Sequence, residues 1–114
     1  MLIHHIALAT DWDEAVGAGA YRVSTLGHDV DEVGFIHTSR ADQVQATARA
    51  FYADVPGSLV VLVMDEETLR AAGLEVRHED AGAGDLFPHI YGEIPVALVA
   101  EVRPATFNGG TLTF

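Results

Sequence analysis

Six histidines occur in 114 residues, and three of the segments that carry them have the residue types that acid–base chemistry needs. They are Ile3-His4-His5-Ile6, Gly34-Phe35-Ile36-His37-Thr38-Ser39 and Phe87-Pro88-His89-Ile90-Tyr91-Gly92. Imidazole titrates near neutrality, so a histidine held in a pocket can give or take a proton at working pH. Alternate residues of an extended chain share a face. Phe35, His37 and Ser39 therefore point one way, as do Phe87, His89 and Tyr91. Each segment presents an aromatic, a histidine and a hydroxyl in the same order, which groups the two into one expected pocket. His4 and His5 must face opposite sides, so only one of them can join. A lone histidine on an apolar strand is more often a core residue with one satisfied hydrogen bond. Three in such settings favour a shared pocket. His28 and His78 lie in polar surroundings and are expected on the surface.

The stretch 37–41 offers a second kind of chemistry. A strand entering a helix at Ser39 would leave the N–H groups of Ser39, Arg40 and Ala41 free at the positive end of the helix dipole. Arg40 beside them would be the best phosphate anchor in the chain. The plainer reading makes Ser39 an N-cap and Arg40 a surface charge, and for Ser39 alone the cap is favoured. A triad with Ser39 as nucleophile and His37 or His89 as base lacks a Gly-x-Ser-x-Gly elbow. The histidines lack the short spacings of metal motifs, so no metal is expected. Asp29, Asp31 and Glu32 lack the glycine and terminal glutamate of an EF-hand loop.

Seventeen acidic residues face six basic ones, all arginine, for a formal net charge of -11. Such a field repels polyanions and argues against DNA as a partner. The absence of lysine excludes Schiff-base catalysis, and the absence of cysteine excludes thiolates and disulfides. No apolar run is long enough to cross a bilayer, and no signal peptide is evident, so a cytoplasmic protein is expected. The oligomeric state is open.

These groups need elements to position them. At 114 residues and 49% hydrophobic content the chain predicts a single domain over 1–114. Residues 2–8, apolar on both faces, predict a central strand. A short helix follows, capped by Thr10 or Asp11, buried through Trp12, Ala15 and Val16 and ended by Gly17 and Gly19. Ala20–Val23 reads as a strand and 24–33 as an acidic loop. Gly34–Thr38 is the next strand, leading to a helix over 40–52 whose core face is Ala41, Val44, Ala48 and Phe51. Pro56-Gly57 turns into the strongest strand, Leu59–Met64. Asp65 caps a helix through Ala72. Leu74–His78, Phe87–Tyr91 and Val96–Val102 complete the strands, with 107–114 an edge strand or loose tail. Loops 24–33 and 79–86 each precede a histidine segment and are candidate lids. Without regular β-α alternation the pattern predicts an α+β domain with a split, mostly antiparallel sheet.

Ile3-His4-His5-Ile6, Trp12, Tyr21, Ser24, Leu26, the segments 34–39 and 87–92, and Gln43 together resemble one bacterial family, domain of unknown function 952. The resemblance runs from about residue 2 to 104. His5 corresponds to the family histidine, and His4 stands where a tyrosine is usual. Some members carry a glutathione-transferase label, but this chain has neither a thioredoxin-like start nor a helical C-terminal domain. The family looks like a compact relative of the ADP-ribosyltransferase fold, which includes NAD-dependent RNA 2′-phosphotransferases. That resemblance implies an NAD cleft in a split sheet, with His5 against a ribose and Tyr21, Ser24 or Ser39 flanking the nicotinamide. Glu93 is the nearest candidate for the late-strand glutamate of that fold but lies outside the family motif.

The expected function is therefore a nucleotide-like ligand, NAD or ADP-ribose, in a pocket where His5, His37 and His89 are catalytic. Tyr21, Ser24, Thr38, Ser39, Arg40, Phe87 and Tyr91 would bind it, and the reaction would be ADP-ribosyl or 2′-phosphate transfer. Two alternatives stand beside it: a non-catalytic small-ligand module, and a transferase or hydrolase that works without NAD.

Overall fold

The two strongest apolar runs become the two central strands. In the computed structural model, which describes residues 1–80, 82 and 84–114, the chain begins with β1 (Leu2–Leu8), α1 (Ala9–Ala18), β2 (Ala20–Tyr21) and β3 (Val23–Thr25). It continues through β4 (His28–Asp29), α2 (Val30–Val33), β5 (Ile36–His37), β6 (Ser39–Arg40), α3 (Val44–Phe51), β7 (Leu59–Asp65) and α4 (Glu66–Ala71). It ends with β8 (Glu75–Asp80), β9 (Leu86–Tyr91), β10 (Ile94–Pro95), a 3₁₀ turn at Val96–Leu98, β11 (Glu101–Asn108) and β12 (Thr111–Thr113). The result is a small α+β domain with a curled antiparallel sheet and short helices. Among the described residues no helix is long and apolar enough to cross a membrane.

A five-stranded sheet has the order β12-β11-β7-β1-β6, and a three-stranded sheet has the order β5-β9-β8, with antiparallel pairings throughout. One extended segment, 36–40, belongs to both. His37 lies opposite His89 in the smaller sheet, and Ser39 lies opposite His4 in the larger one. Between them, the N–H and Oγ1 of Thr38 both donate to the Pro88 carbonyl, at 3.0 and 2.5 Å. The period-2 alternation of β1 and β7 then divides two cores. Ile3, Ala7, Leu62 and Met64 face Tyr21, Ile36, Leu69 and Ile90, whereas Ile6, Val61 and Val63 face Val44, Ala48 and Tyr52.

Several boundaries differ from expectation. Ser39 does not cap a helix, and α3 starts only at Val44 with Gln43 as its N-cap residue. The unpaired edge of β1 takes Ser39 and Arg40 as a short strand instead, and the Arg40 N–H donates to Gln43 Oε1 at 3.0 Å. Ala41 and Phe51 are consequently exposed, not core. α1 begins before Thr10, at Ala9, whose N–H donates to the Ser58 carbonyl at 2.8 Å. It runs through Gly17 and stops at Gly19, where φ of +89° suits glycine, and Val16 is exposed. The acidic stretch 24–33 is a hairpin followed by α2, whose cap is the Asp29 side chain on Asp31 N–H at 2.8 Å. Val96–Leu98 forms a turn because the Val96 N–H is drawn to the Gly19 carbonyl, so the last long strand starts at Glu101. β12 is the edge strand foreseen within 107–114.

Candidate functional site

His5 projects from β1 into the first core, 2% exposed. Its Nδ1 lies 2.6 Å from the His37 carbonyl and its Nε2 lies 2.9 Å from the Tyr21 hydroxyl. A carbonyl only accepts, so Nδ1–H donates to it, and Nε2 must accept the Tyr21 O–H. Both nitrogens are used. Burial lowers the pKa of His5 to about 4 and raises that of Tyr21 above its ordinary value. Neither residue lines the cavity described next, so His5 buttresses the His37 backbone from beneath. His4 points the other way, with Nδ1 at 3.4 Å from the Ser39 carbonyl and its ring edge against Phe114.

A cavity of about 430 Å³ opens between the β3–β4 hairpin, α2, α3 and the start of β9. Val33, Phe35, Ala46, Ala50, Phe51 and Phe87 make its walls, and Ser24, Thr25, His37 and Thr47 supply the polar points. Among the described residues, no charged side chain lines it. Its size is that of ordinary small-molecule sites.

His37 reaches this cavity at the end of a hydrogen-bonded chain. On β8, Glu79 accepts from the Tyr91 hydroxyl and from His89 Nδ1 at 3.0 Å. His89 Nε2 lies 3.3 Å from His37 Nδ1. His89 Nδ1–H donates to the carboxylate, which leaves Nε2 of the neutral ring as an acceptor for His37 Nδ1–H. His37 Nε2 is then a bare lone pair. It is buried and has no hydrogen-bond partner. Burial, followed by repulsion from His89 and His5, lowers the pKa of His37 to about 4. Hydrogen bonds from Tyr91 and His89 hold Glu79 below its ordinary value. Phe35 lies flat on the His89 ring at 4.0 Å and fixes its plane. Chemically, the chain links the carboxylate of Glu79 through His89 to His37, a residue that lines the cavity and keeps one ring nitrogen without a partner.

The remaining expected residues divide. Ser24 and Phe87 line the cavity with His37, and the Ser24 hydroxyl, like His37 Nε2, is buried without a partner. Ser39 is buried with its hydroxyl 2.9 Å from Thr47 Oγ1, and it does not cap a helix. Thr38 ties the two sheets. Arg40 is held by Asp42 and Asp85, each at 3.2 Å, and by the Leu86 carbonyl at 2.7 Å. The helix start on which the anion site at 39–41 depended is not formed there, since Ser39 and Arg40 pair with β1 as a strand and α3 starts at Val44. Tyr91 stands behind Glu79, under the Arg77 guanidinium at 4.5 Å. Glu93 pairs with Arg22 at 2.9 Å. His78 is half-buried, contrary to expectation, because it bonds the buried Glu66. Of the candidate lids, 24–33 is ordered structure around the cavity, while residues 81 and 83 of the other lie outside the described residues. Among the described residues, no group of three His, Asp or Glu side chains could hold a metal ion.

Glu79 was missed. Its only local signal is alternation with Arg77 on β8, and the contact that matters crosses to β9, where it faces Phe87 two pairs from His89.

Fold and site together describe a small α+β domain with an apolar cavity and a carboxylate–histidine–histidine chain. The chain matches the family described as Protein of unknown function (DUF952) over residues 6–102, and it belongs to that family. The crystal structure of protein CC0527 from Caulobacter crescentus is similar, with TM-score 0.83 and 28% identity over 99% of this chain and 94% of that one. The solution NMR structure of the same protein gives TM-score 0.75 at 28% identity over 97% and 90% of the two chains. No curated protein matches the chain.

Proposed function

We propose that the cavity binds a small, uncharged, largely apolar molecule and that His37 Nε2 takes a proton from it. The protein is then an acid–base enzyme that works without NAD. The observation that carries this reading is the unpartnered Nε2 of His37 at the cavity end of the Glu79–His89–His37 chain. A buried acceptor with no partner is costly, on the order of 1–3 kcal/mol, and a bound substrate would remove that cost. When His37 gains a proton, its Nδ1–H bond to His89 strengthens and Glu79 balances the charge, as a general base requires.

The nucleotide reading has less support. Its phosphate anchor was Arg40, which two aspartates occupy, and the cavity offers no cation to an anion approaching a chain of net charge -11. The test is a titration of histidine ¹⁵N shifts with neutral apolar compounds and, separately, with NAD and ADP-ribose. Neutral compounds should move His37 Nε2 and nucleotides should not. With a turned-over substrate, kcat/KM should rise with pH through about 4 and then stay level, following His37. Nucleotide shifts at His37, or neutral ligands that leave it unmoved, would overturn the proposal. Binding without any turnover would return the cavity to a plain ligand-binding role.

A further inference from the structure

We infer that Ser24 is the second polar anchor of this cavity, and that Ser24 and His37 together select an uncharged carbonyl compound with a hydrogen on the carbon beside the carbonyl. The inference rests on the role proposed for His37 and adds the substrate class.

Ser24 is 0% exposed, and its Oγ has no hydrogen-bond partner. It lines the same cavity as His37, whose Nε2 is the other buried side-chain N or O atom left without a partner among the described residues. The two atoms are complementary. Held in the tautomer set by His89, His37 Nε2 can only accept, whereas the Ser24 hydroxyl has a proton to donate. A ligand that satisfies both must show a hydrogen to His37 and a lone pair to Ser24. Val33, Phe35, Phe51 and Phe87 require the rest of it to be apolar. A small ketone or aldehyde meets all three conditions.

The chemistry follows from the same contacts. The α C–H bond breaks and its proton goes to His37 Nε2. The electron pair forms the C=C bond of an enolate, whose oxygen takes a stronger hydrogen bond from Ser24 than the carbonyl did. His37 returns the proton to the same carbon or to a neighbouring atom. No co-reactant is consumed. His37 alone is a weak base toward carbon acids, and the hydrogen bond from Ser24 to the developing oxyanion adds to the rate, on the order of 100-fold.

The experiment compares cyclohexanone, cyclohexanol and methylcyclohexane on the full chain, with Ser24→Ala, Ser24→Cys and His37→Gln as variants whose folding is checked by thermal melting. Infrared spectra report the C=O stretch of bound ketone, and proton NMR in D₂O reports exchange of its α-hydrogens. In the unaltered protein the stretch should fall below its value in hydrocarbon, and exchange should exceed that in buffer. Ser24→Ala should restore the stretch and slow exchange about 100-fold, with Ser24→Cys intermediate. His37→Gln should abolish exchange and leave the stretch lowered. An identical stretch in Ser24→Ala overturns the inference, and exchange that persists there leaves the role of His37 standing. Cyclohexanone binding no tighter than methylcyclohexane, while cyclohexanol shifts His37, has the same meaning. If none of the three probes perturbs His37, both readings fall.

Discussion

Mild acid should unfold this protein through its interior, and His5 allows the effect to be isolated. Its pKa is about 4 in the fold against an ordinary 6.5. A folded value below the unfolded one means that the unfolded chain binds more protons between the two. Stability is therefore complete above about pH 6.5 and drains away as the pH falls toward 4. At pH 5 the histidine is about 97% protonated when unfolded and about a tenth protonated when folded, a loss of about 2 kcal/mol. His37 adds a similar loss, and His4, also depressed by burial, acts in the same direction. Part of the His37 depression is repulsion from its neighbours, so the total between pH 7 and pH 5 is about 3–4 kcal/mol, a large share of a typical 5–15 kcal/mol. Asp29, Asp65, Glu79 and Asp85 are all held below their ordinary values and stay ionised through this window. Urea denaturation at the two pH values measures the loss directly. His5→Phe should cost about 1–3 kcal/mol at pH 7, because it strands the His37 carbonyl and the Tyr21 hydroxyl. It should also lose about 2 kcal/mol less than the unaltered chain between pH 7 and pH 5. An equal loss in both proteins would refute the reasoning.

Glu79→Gln removes the charge that balances a protonated His37. It should cut proton-transfer rates about 10–100-fold with little change in ligand affinity, read from exchange kinetics and binding isotherms. Arg40→Ala should weaken the fold only slightly, since its ion pairs are on the surface, and leave cavity affinity within about twofold. Calorimetry with a neutral ligand checks it, and a large affinity loss would revive the anion-site reading. Phe51 is 58% exposed yet lines the cavity. Phe51→Ala should therefore shift the melting temperature little and weaken apolar ligands about 3–10-fold.

Much of the framework was legible because it depends on neighbours along the chain. Strands β1 and β7 follow from apolar runs, the α4 cap from Asp65, and the end of α1 from Gly19, which adopts positive φ. The pairing of Phe35-x-His37 with Phe87-x-His89 also came from strand alternation alone, and the structure sets those histidines opposite each other. Ser24 was named, though only as one of several hydroxyls.

What the amino-acid order determined by itself was the set of reactive groups and the faces on which they lie, because side-chain direction in a strand is a local property. Which groups meet is not local. Ser39 and Arg40 became a strand because β1 offered unpaired backbone groups that no local helix signal could outweigh. His5 became a buttress because Tyr21 and the His37 carbonyl took both its nitrogens. Glu79 entered the site across a strand pair, and only the folded chain left Ser24 Oγ and His37 Nε2, on two residues that line one cavity, with nothing to bond. Hydrogen-bond satisfaction is decided by the whole fold, and here it separates His5, with both ring nitrogens bonded, from His37, whose Nε2 has no partner.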